Sequence, residues 1–297
     1  MTTIDVPSTP MPTTPAPAGD LTALFGGTFA LELAFADDIA RRAGRLLMER
    51  YERVERIDFK SAKDVVTEVD HLSEALILDA IRGRFPDDAI LAEETGEHHA
   101  VAGEAPTSGK GRVWIVDPVD GTINYANGIP FFCVSVALVA DGVPAVGVIH
   151  DPTRDETFGA SVDRPAWVQT GTGVAAVVVT ASDKDSISDF VVSMALGGPR
   201  VAPRARGIRR AVRVSRSMGS AALALAYVAN GRFDAFIQQG GLSAWDIAAA
   251  GLIAERAGAT VTDMAGGPWF NVADGPKSIG ILAAPAAHHE ALLDLVR

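Results

Sequence analysis

The sequence predicts an α/β or α+β sandwich built from two closely packed halves. Three features predict it. A helical apolar repeat lies near the N-terminus, and short apolar runs separated by turn residues follow up to about residue 155. Beyond that point, β-branched runs alternate with helical ones. Taken in order, residues 1–25 are rich in Thr and Pro, with neither a basic start nor an apolar stretch. They are expected to form a disordered tail, not a signal peptide. Phe35, Ile39, Ala43, Leu47 and Tyr51 recur every fourth residue, which predicts a helix over Leu31 to Arg53. A second helix is expected after DVVTEVD, with Leu72, Leu76 and Ala80 on one face and Pro86 ending it. AILA before Glu93 and VWIV before Asp117 predict strands, and FFCVSVALVA and PAVGVIH flank the hairpin signal Asp141-Gly142. Further on, VAAVVVT and FVVSM predict strands. SAALALAYVA and AWDIAAAGLIAERAG predict helices, the latter stopped by Gly258. The two halves are placed at 26–160 and 161–297, with the boundary inside 153–180.

Composition narrows the function classes. A chain of 297 residues can bury a sizeable core, and 48% hydrophobic against 21% charged residues is ordinary for a soluble globular protein. No apolar run is long enough to span a bilayer. The single cysteine, Cys133, excludes an internal disulfide framework and fits a reducing cytoplasm. Within FFCVSVALVA it reads as a small core residue, not a nucleophile. The net charge of −11 argues against nucleic acid and anionic membrane as partners. One segment inverts that charge: seven arginines lie between Arg200 and Arg216. It reads as a solvated loop or subunit contact, or as a patch attracting a phosphorylated substrate. No aromatic residue interleaves the arginines to stack on bases. The pairs His98-His99 and His288-His289 have no partners at metal-ligand spacing and read as surface residues.

The segment WIVDPVDGTINYANG, Trp114 to Gly128, carries the chemistry. Asp117 precedes a proline, which biases it towards extended backbone. Gly121 allows a tight turn and a bare backbone N–H, while Thr122 and Asn124 suit a helix start, where free amides favour an anion. Two carboxylates beside an anion-binding turn conflict unless a cation lies between them. A divalent metal resolves that conflict, and magnesium prefers such oxygen ligands. Further carboxylates are at hand in Glu93 and Glu94 of AEETGE, Asp64 and Asp70 of DVVTEVD, and Asp246 of AWDIAAAG. Asp246 has an alternative role as an N-terminal helix charge. An EF-hand loop is excluded by Val119 and Thr122 at its third and sixth positions. GEAPTSGKG departs from a P-loop in spacing and in Gly111 after Lys110, and reads as an exposed loop.

Four blocks in order, DVVTEVD, AEET, DPVDGTINY and WDIAAAG, make the chain resemble the inositol monophosphatase family of magnesium-dependent, lithium-sensitive sugar phosphatases. The resemblance implies a layered αβαβα sandwich of the inositol monophosphatase and fructose-1,6-bisphosphatase type. It implies a homodimer that hydrolyses a small phosphate monoester with metal-activated water. Glu93, Asp117 and the Val119 carbonyl would bind a first metal, and Asp117, Asp120 and Asp246 a second. Asp70 with Glu93 would hold a third through water. That gives two or three Mg²⁺ per site, with Mn²⁺ able to substitute. Thr122 would orient the attacking water and Asp70 accept its hydroxyl proton, while the amides of Gly121 and Thr122 would hold the phosphate. Gly219, Ser220 and Ala221 resemble the substrate-lining block, and Lys60 of FKSAKD the active-site lysine, in a loop one residue shorter. Where the family's inositol phosphatases carry a glutamate, seven residues before Asp246, this chain has Gln239. Inositol monophosphate leads as the substrate. Histidinol phosphate, fructose 1,6-bisphosphate and 3′-phosphoadenosine 5′-phosphate are alternatives on the same site, and a metal-dependent regulatory binding protein is the non-enzymatic one.

Overall fold

A computed structural model of the chain describes residues 27–52, 57–61, 64–99, 110–196, 202–274 and 277–297, with backbone alone at 57–61 and 64–66. The Thr/Pro-rich tail, the side chains of Lys60 and Asp64, most of GEAPTSGKG, and Arg200 lie outside the described residues. The first predicted helix is α1, Ala30–Arg50, which buries Leu33, Ala36, Ile39, Ala40, Ala43 and Leu47. This is the i, i+3, i+4 stripe of a helix lying on a core. The second is α2, Glu68–Arg84, ended at Phe85 just before Pro86. Its buried face only partly matches the expected one, since Leu76 and Ala80 pack at the edge of the core. Leu72 is 44% exposed, and the buried stripe runs through Val69, Asp70, Ser73, Glu74, Ile77 and Ile81. Three of those residues are polar, so hydrophobicity alone placed the centre of the buried face off to one side.

The remaining helices are α3 (Thr122–Ala126), α4 (Ala202–Ala211), α5 (Ala221–Ala226), α6 (Ala244–Arg256) and α7 (Ala286–Val296). A hairpin of β1 (Ile57–Ser61) and β2 (Asp64–Thr67) leads into α2. Eight strands form the larger sheet: β3 (Ala89–Ala92), β4 (Gly96–His98), β5 (Arg112–Asp120), β6 (Cys133–Ala140), β7 (Val143–Asp151), β8 (Glu156–Ser161), β9 (Trp167–Thr170) and β10 (Val177–Val178). Their order is β10-β9-β8-β7-β6-β5-β3-β4, antiparallel except for the parallel pair β3/β5. Asp141-Gly142 joins β6 to β7 as the hairpin signal predicts. VAAVVVT contributes only the two-residue β10. The smaller sheet comprises β11 (Val191–Ala195), β12 (Val214–Arg216), β13 (Ala235–Leu242), β14 (Ala259–Asp263) and β15 (Ile279–Pro285), in the order β12-β11-β13-β15-β14. The larger sheet therefore continues past residue 160 to Val178, and the smaller one starts at Val191.

The packing makes five layers. Trp114, Val116, Val134, Val136 and Val148 face α1 and α2, while Val113, Ile115, Cys133 and Ile149 face α5, α6 and the smaller sheet. The far face of the smaller sheet packs through Val192, Ile237 and Leu282 on Ile208, Leu292 and Leu293 of α4 and α7. This is the αβαβα sandwich. Strand β5 is buried on both faces, which explains its unbroken apolar run. His289 corrects the surface reading of its pair. It is 6% exposed, its Nε2 lies 3.0 Å from Thr262 Oγ1, and burial holds its pKa below the usual histidine value. His288 is half-buried, with Nε2 2.8 Å from the Lys184 carbonyl. Among the described residues, no helix is long and apolar enough to cross a membrane.

Helix α6 reaches its seat on β7 through Gly147. A Cβ there would lie 2.6 Å from the carbonyl oxygen of Ala249 and 2.8 Å from its Cα. Backbone cannot swing aside as a flexible side chain would. Gly147→Ala is expected to cost about 3 kcal/mol, the upper range for overpacking. That is a fall of several degrees in Tm for a chain this size, read by thermal denaturation. An unchanged Tm would show that α6 does not sit there.

Candidate active site

Asp117 and Asp120 are three residues apart on one strand, so a regular pleat would send their side chains to opposite faces. The pairing of β5 with β6 breaks between them: Asp117 opposes Ser135 and Asp120 opposes Cys133, three residues against two. That bulge turns both carboxylates to the same side. Gly121 then takes φ 101°, a left-handed conformation that L side chains avoid, and starts α3. Asp246 arrives from the first turn of α6. Carboxylate oxygens of Asp117, Asp120 and Asp246 all lie within 4.8 Å of one another.

Each carboxylate is tethered by the scaffold. Asp117 Oδ1 accepts the Val119 N–H at 2.9 Å, and Asp246 Oδ2 accepts the Ser243 N–H at 2.6 Å. Asp120 Oδ2 accepts Ser220 Oγ at 2.5 Å and the Ala222 N–H at 2.6 Å, with Cys133 Sγ at 3.9 Å. Asp70 Oδ2 accepts the N–H of Thr67 at 2.9 Å and its hydroxyl at 2.5 Å. Its Oδ1 faces Thr122 Oγ1 at 3.0 Å, and the Val119 carbonyl lies at the same distance from that hydroxyl. With one proton, Thr122 can donate to only one of them at a time. Cys133 is fully buried, and burial pushes its thiol well above the usual range, so it acts as core.

The electrostatics follow from this crowding of buried carboxylates. Burial, then the charges of Glu93, Asp120 and Asp246, raises Asp117 well above the usual carboxylate pKa. Burial and Asp120 do the same to Asp246, with Lys277 opposing. Burial lifts Asp120 to about 6 even though Ser220 and the amides of Ala222 and Ala221 pull it down. Burial also raises Asp70, against its bonds to Thr67 and Thr122. Glu93 follows β3, its N–H bonded to the Val116 carbonyl at 3.1 Å, and its charge acts on all four aspartates. Such crowding of hard oxygen donors suits a divalent cation. This donor set fits one.

Beside the cluster lies a cavity of about 300 Å³, with Asp120 and Asp246 in its wall. It opens at the C-terminal ends of the parallel strands β12, β11 and β13, the usual ligand side of such a sheet. Ser193, Ser217, Met218, Phe236 and Gln238 line it, together with Gly219, Ser220 and Ala221 of the predicted block. Ser220 also lines it, yet its hydroxyl is committed to Asp120. Gln239 is exposed and does not line the cavity; strand alternation presents Phe236 and Gln238 there instead. Among the described residues, no Lys or Arg lines it. The arginines at 204, 206, 209 and 210 stand exposed on α4, away from this wall.

Sequence reasoning missed the roles of three residues. Asn124 lies in the first turn of α3, as expected, and in addition its Nδ2 donates to the carbonyls of Phe131 (2.7 Å) and Met218 (2.8 Å), tying α3 to the cavity wall. Thr67 and Ser243 were overlooked although TEVD and SAWD each place a hydroxyl residue three before an aspartate, a helix-start signal.

Comparison with known proteins agrees with this geometry. The model of the inositol monophosphatase family matches residues 31–297. The chain is similar to a fructose-1,6-bisphosphatase/inositol-1-monophosphatase of Thermotoga maritima, 36% identical over 236 residues, 79% of this chain and 85% of that protein. It is also similar to the Nus factor SuhB of Haemophilus influenzae, 35% identical over 268 residues, 87% and 92% of the two chains. The crystal structure of the extragenic suppressor protein suhB from Bartonella henselae superposes with a TM-score of 0.79 at 30% identity, covering 90% of this chain and 98% of that one. The chain belongs to the inositol monophosphatase family and is a phosphoric monoester hydrolase.

Proposed function

We propose that the protein hydrolyses the monophosphate of a small neutral polyol, inositol monophosphate foremost, in a magnesium-dependent reaction. Glu93, Asp117, Asp120, Asp246 and the Val119 carbonyl hold the metal in this reading. Bound there, Mg²⁺ supplies Lewis-acid neutralisation of the charge on the phosphoryl oxygens and the leaving oxygen. The chain's own groups do the rest. Thr122 Oγ1 orients the attacking water, and Asp70, 3.0 Å away, accepts the hydroxyl proton. The amides of Gly121 and Thr122 hold the phosphate. Ser193, Ser217 and Gln238 meet the polyol hydroxyls, and Phe236 and Met218 cover its carbon face. A homodimer in the cytoplasm is the form proposed for it.

The observation that carries this reading is the acidic cluster opening onto a cavity with no Lys or Arg among the described residues of its wall. A second phosphate on the leaving group would meet carboxylates there and no partner among the lining residues. The test is phosphate release from inositol monophosphate, histidinol phosphate, fructose 1,6-bisphosphate and 3′-phosphoadenosine 5′-phosphate, with magnesium, with added lithium, and in excess chelator. Inositol monophosphate is expected to turn over fastest, lithium to inhibit, and chelator to abolish release. Preference for a bisphosphate would overturn the substrate assignment, and release in chelator would overturn the metal.

The name Nus factor, carried by the Haemophilus relative, favours a second reading in which the protein also associates with a regulatory partner. The exposed arginines of α4 offer such a partner an inverted charge on an acidic molecule. Absence of turnover on all four substrates would leave that reading alone.

A further inference from the structure

Asp70, Ser73 and Glu74 stand at i, i+3 and i+4 of α2 and so share one helical face. All three are almost fully buried, at 0%, 0% and 1% exposure. Burying a carboxylate is costly without a compensating role. Asp70 reaches Thr122, as described. Ser73 Oγ donates to the Pro118 carbonyl at 3.2 Å, in the link between Asp117 and Val119. Glu74 Oε2 accepts the Glu94 N–H at 2.9 Å, in the residue directly after Glu93. Glu74 Oε1 has no hydrogen-bond partner, so the Glu94 amide is the only hydrogen bond this carboxylate makes among the described residues. One face of one helix thus touches two chain segments, the stretch 117–122 and the residues after β3, each bearing acidic residues of the site.

We propose that Ser73 and Glu74 are positioning residues of the metal centre, Glu74 acting on Glu93 through the Glu94 amide and Ser73 acting on Asp117 through the Pro118 carbonyl. This rests on the reading that Glu93 and Asp117 hold the metal. Neither residue touches the ion or the substrate. Their effect is to stop the two ligand-bearing segments from relaxing apart under the mutual repulsion of the carboxylates.

The experiment is calorimetric titration of Mn²⁺ into the full-length, metal-stripped protein, beside the Mg²⁺ dependence of phosphate release. Glu74→Leu removes the acceptor, and its Mn²⁺ affinity is expected to fall 10- to 100-fold, the range for groups that orient metal ligands. Glu74→Gln keeps a carbonyl acceptor for the Glu94 N–H and is expected to stay within about threefold of the parent. The Leu variant should need more Mg²⁺ for half-maximal rate and recover most of kcat at saturation. Equal Mn²⁺ affinity in the parent and the Leu variant overturns the proposal. So does a Gln variant as weak as the Leu one, because charge and not the hydrogen bond would then matter. Should Glu74→Leu fail to fold, Ser73→Ala takes its place, and undiminished Mn²⁺ affinity in that variant overturns the proposal. A parent protein that binds no Mn²⁺ sinks the metal reading itself, a different result from parent and variants binding alike.

Discussion

Asp117→Asn is expected to lower phosphate release about a thousandfold while leaving the fold intact, three decades at about 1.4 kcal/mol each. Asp117 is the one carboxylate shared by both metal positions in the proposed centre, and metal neutralisation supplies several kcal/mol to such a transition state. Asn keeps an oxygen that can accept the Val119 N–H, now made to Asp117 Oδ1 at 2.9 Å, so the turn should hold. It removes a buried charge that its neighbours already repel. The Asn protein should therefore melt no lower than the parent in chelator. Steady-state release at saturating Mg²⁺ measures the first effect and thermal denaturation the second. A rate within tenfold of the parent would remove Asp117 from the centre.

The second large effect couples pH to metal. In the folded protein Asp120 is raised to about 6, and Asp117 and Asp246 lie well above the usual value. A carboxyl raised on folding stabilises fully below its unfolded pKa, and that contribution is lost as pH rises through the folded one. Asp120 alone accounts for about 3 kcal/mol of such loss. Buried His150 acts oppositely: burial, then Arg41 and Arg45, depress it to about 3, so its contribution is lost as pH falls below the unfolded histidine value. Between about pH 4 and 7 the two effects oppose each other in the metal-free protein, and the loss through Asp120 is complete by about pH 7. Metal competes with protons for the same oxygens, so the rise in Tm produced by Mg²⁺ should widen over that interval. Taking the difference with and without metal cancels the histidines. A Mg²⁺ increment that shrinks with pH would contradict the carboxylate cluster as the binding site.

Much of this was legible in the sequence. Strand β5 announces itself by an apolar run that ends on an aspartate and helix α6 by one that begins on an aspartate, and the four acidic blocks mark the cluster. What the sequence concealed follows from function overriding pattern. The buried face of α2 carries three polar residues that serve the site, so a periodicity of leucines led to the exposed Leu72. The bulge between Asp117 and Asp120 has no signature beyond Pro118, yet it decides that both carboxylates point the same way. A one-residue difference in strand facing separates Gln238 from Gln239, and the irregular pairing of β13 with β15 after Gln238 hides it. His289 is a buried polar group bonded to Thr262, a contact 27 residues away that spacing cannot show.

Two aspartates hold the ends of their own helices. Asp70 accepts the backbone N–H of Thr67 at the start of α2, and Asp246 that of Ser243 at the start of α6. Alanine at either place would therefore strip a ligand or base and unfasten a helix in the same stroke, and an inactive alanine protein would reveal neither loss separately. Only replacements that keep an acceptor oxygen can tell the chemist which of the two was destroyed.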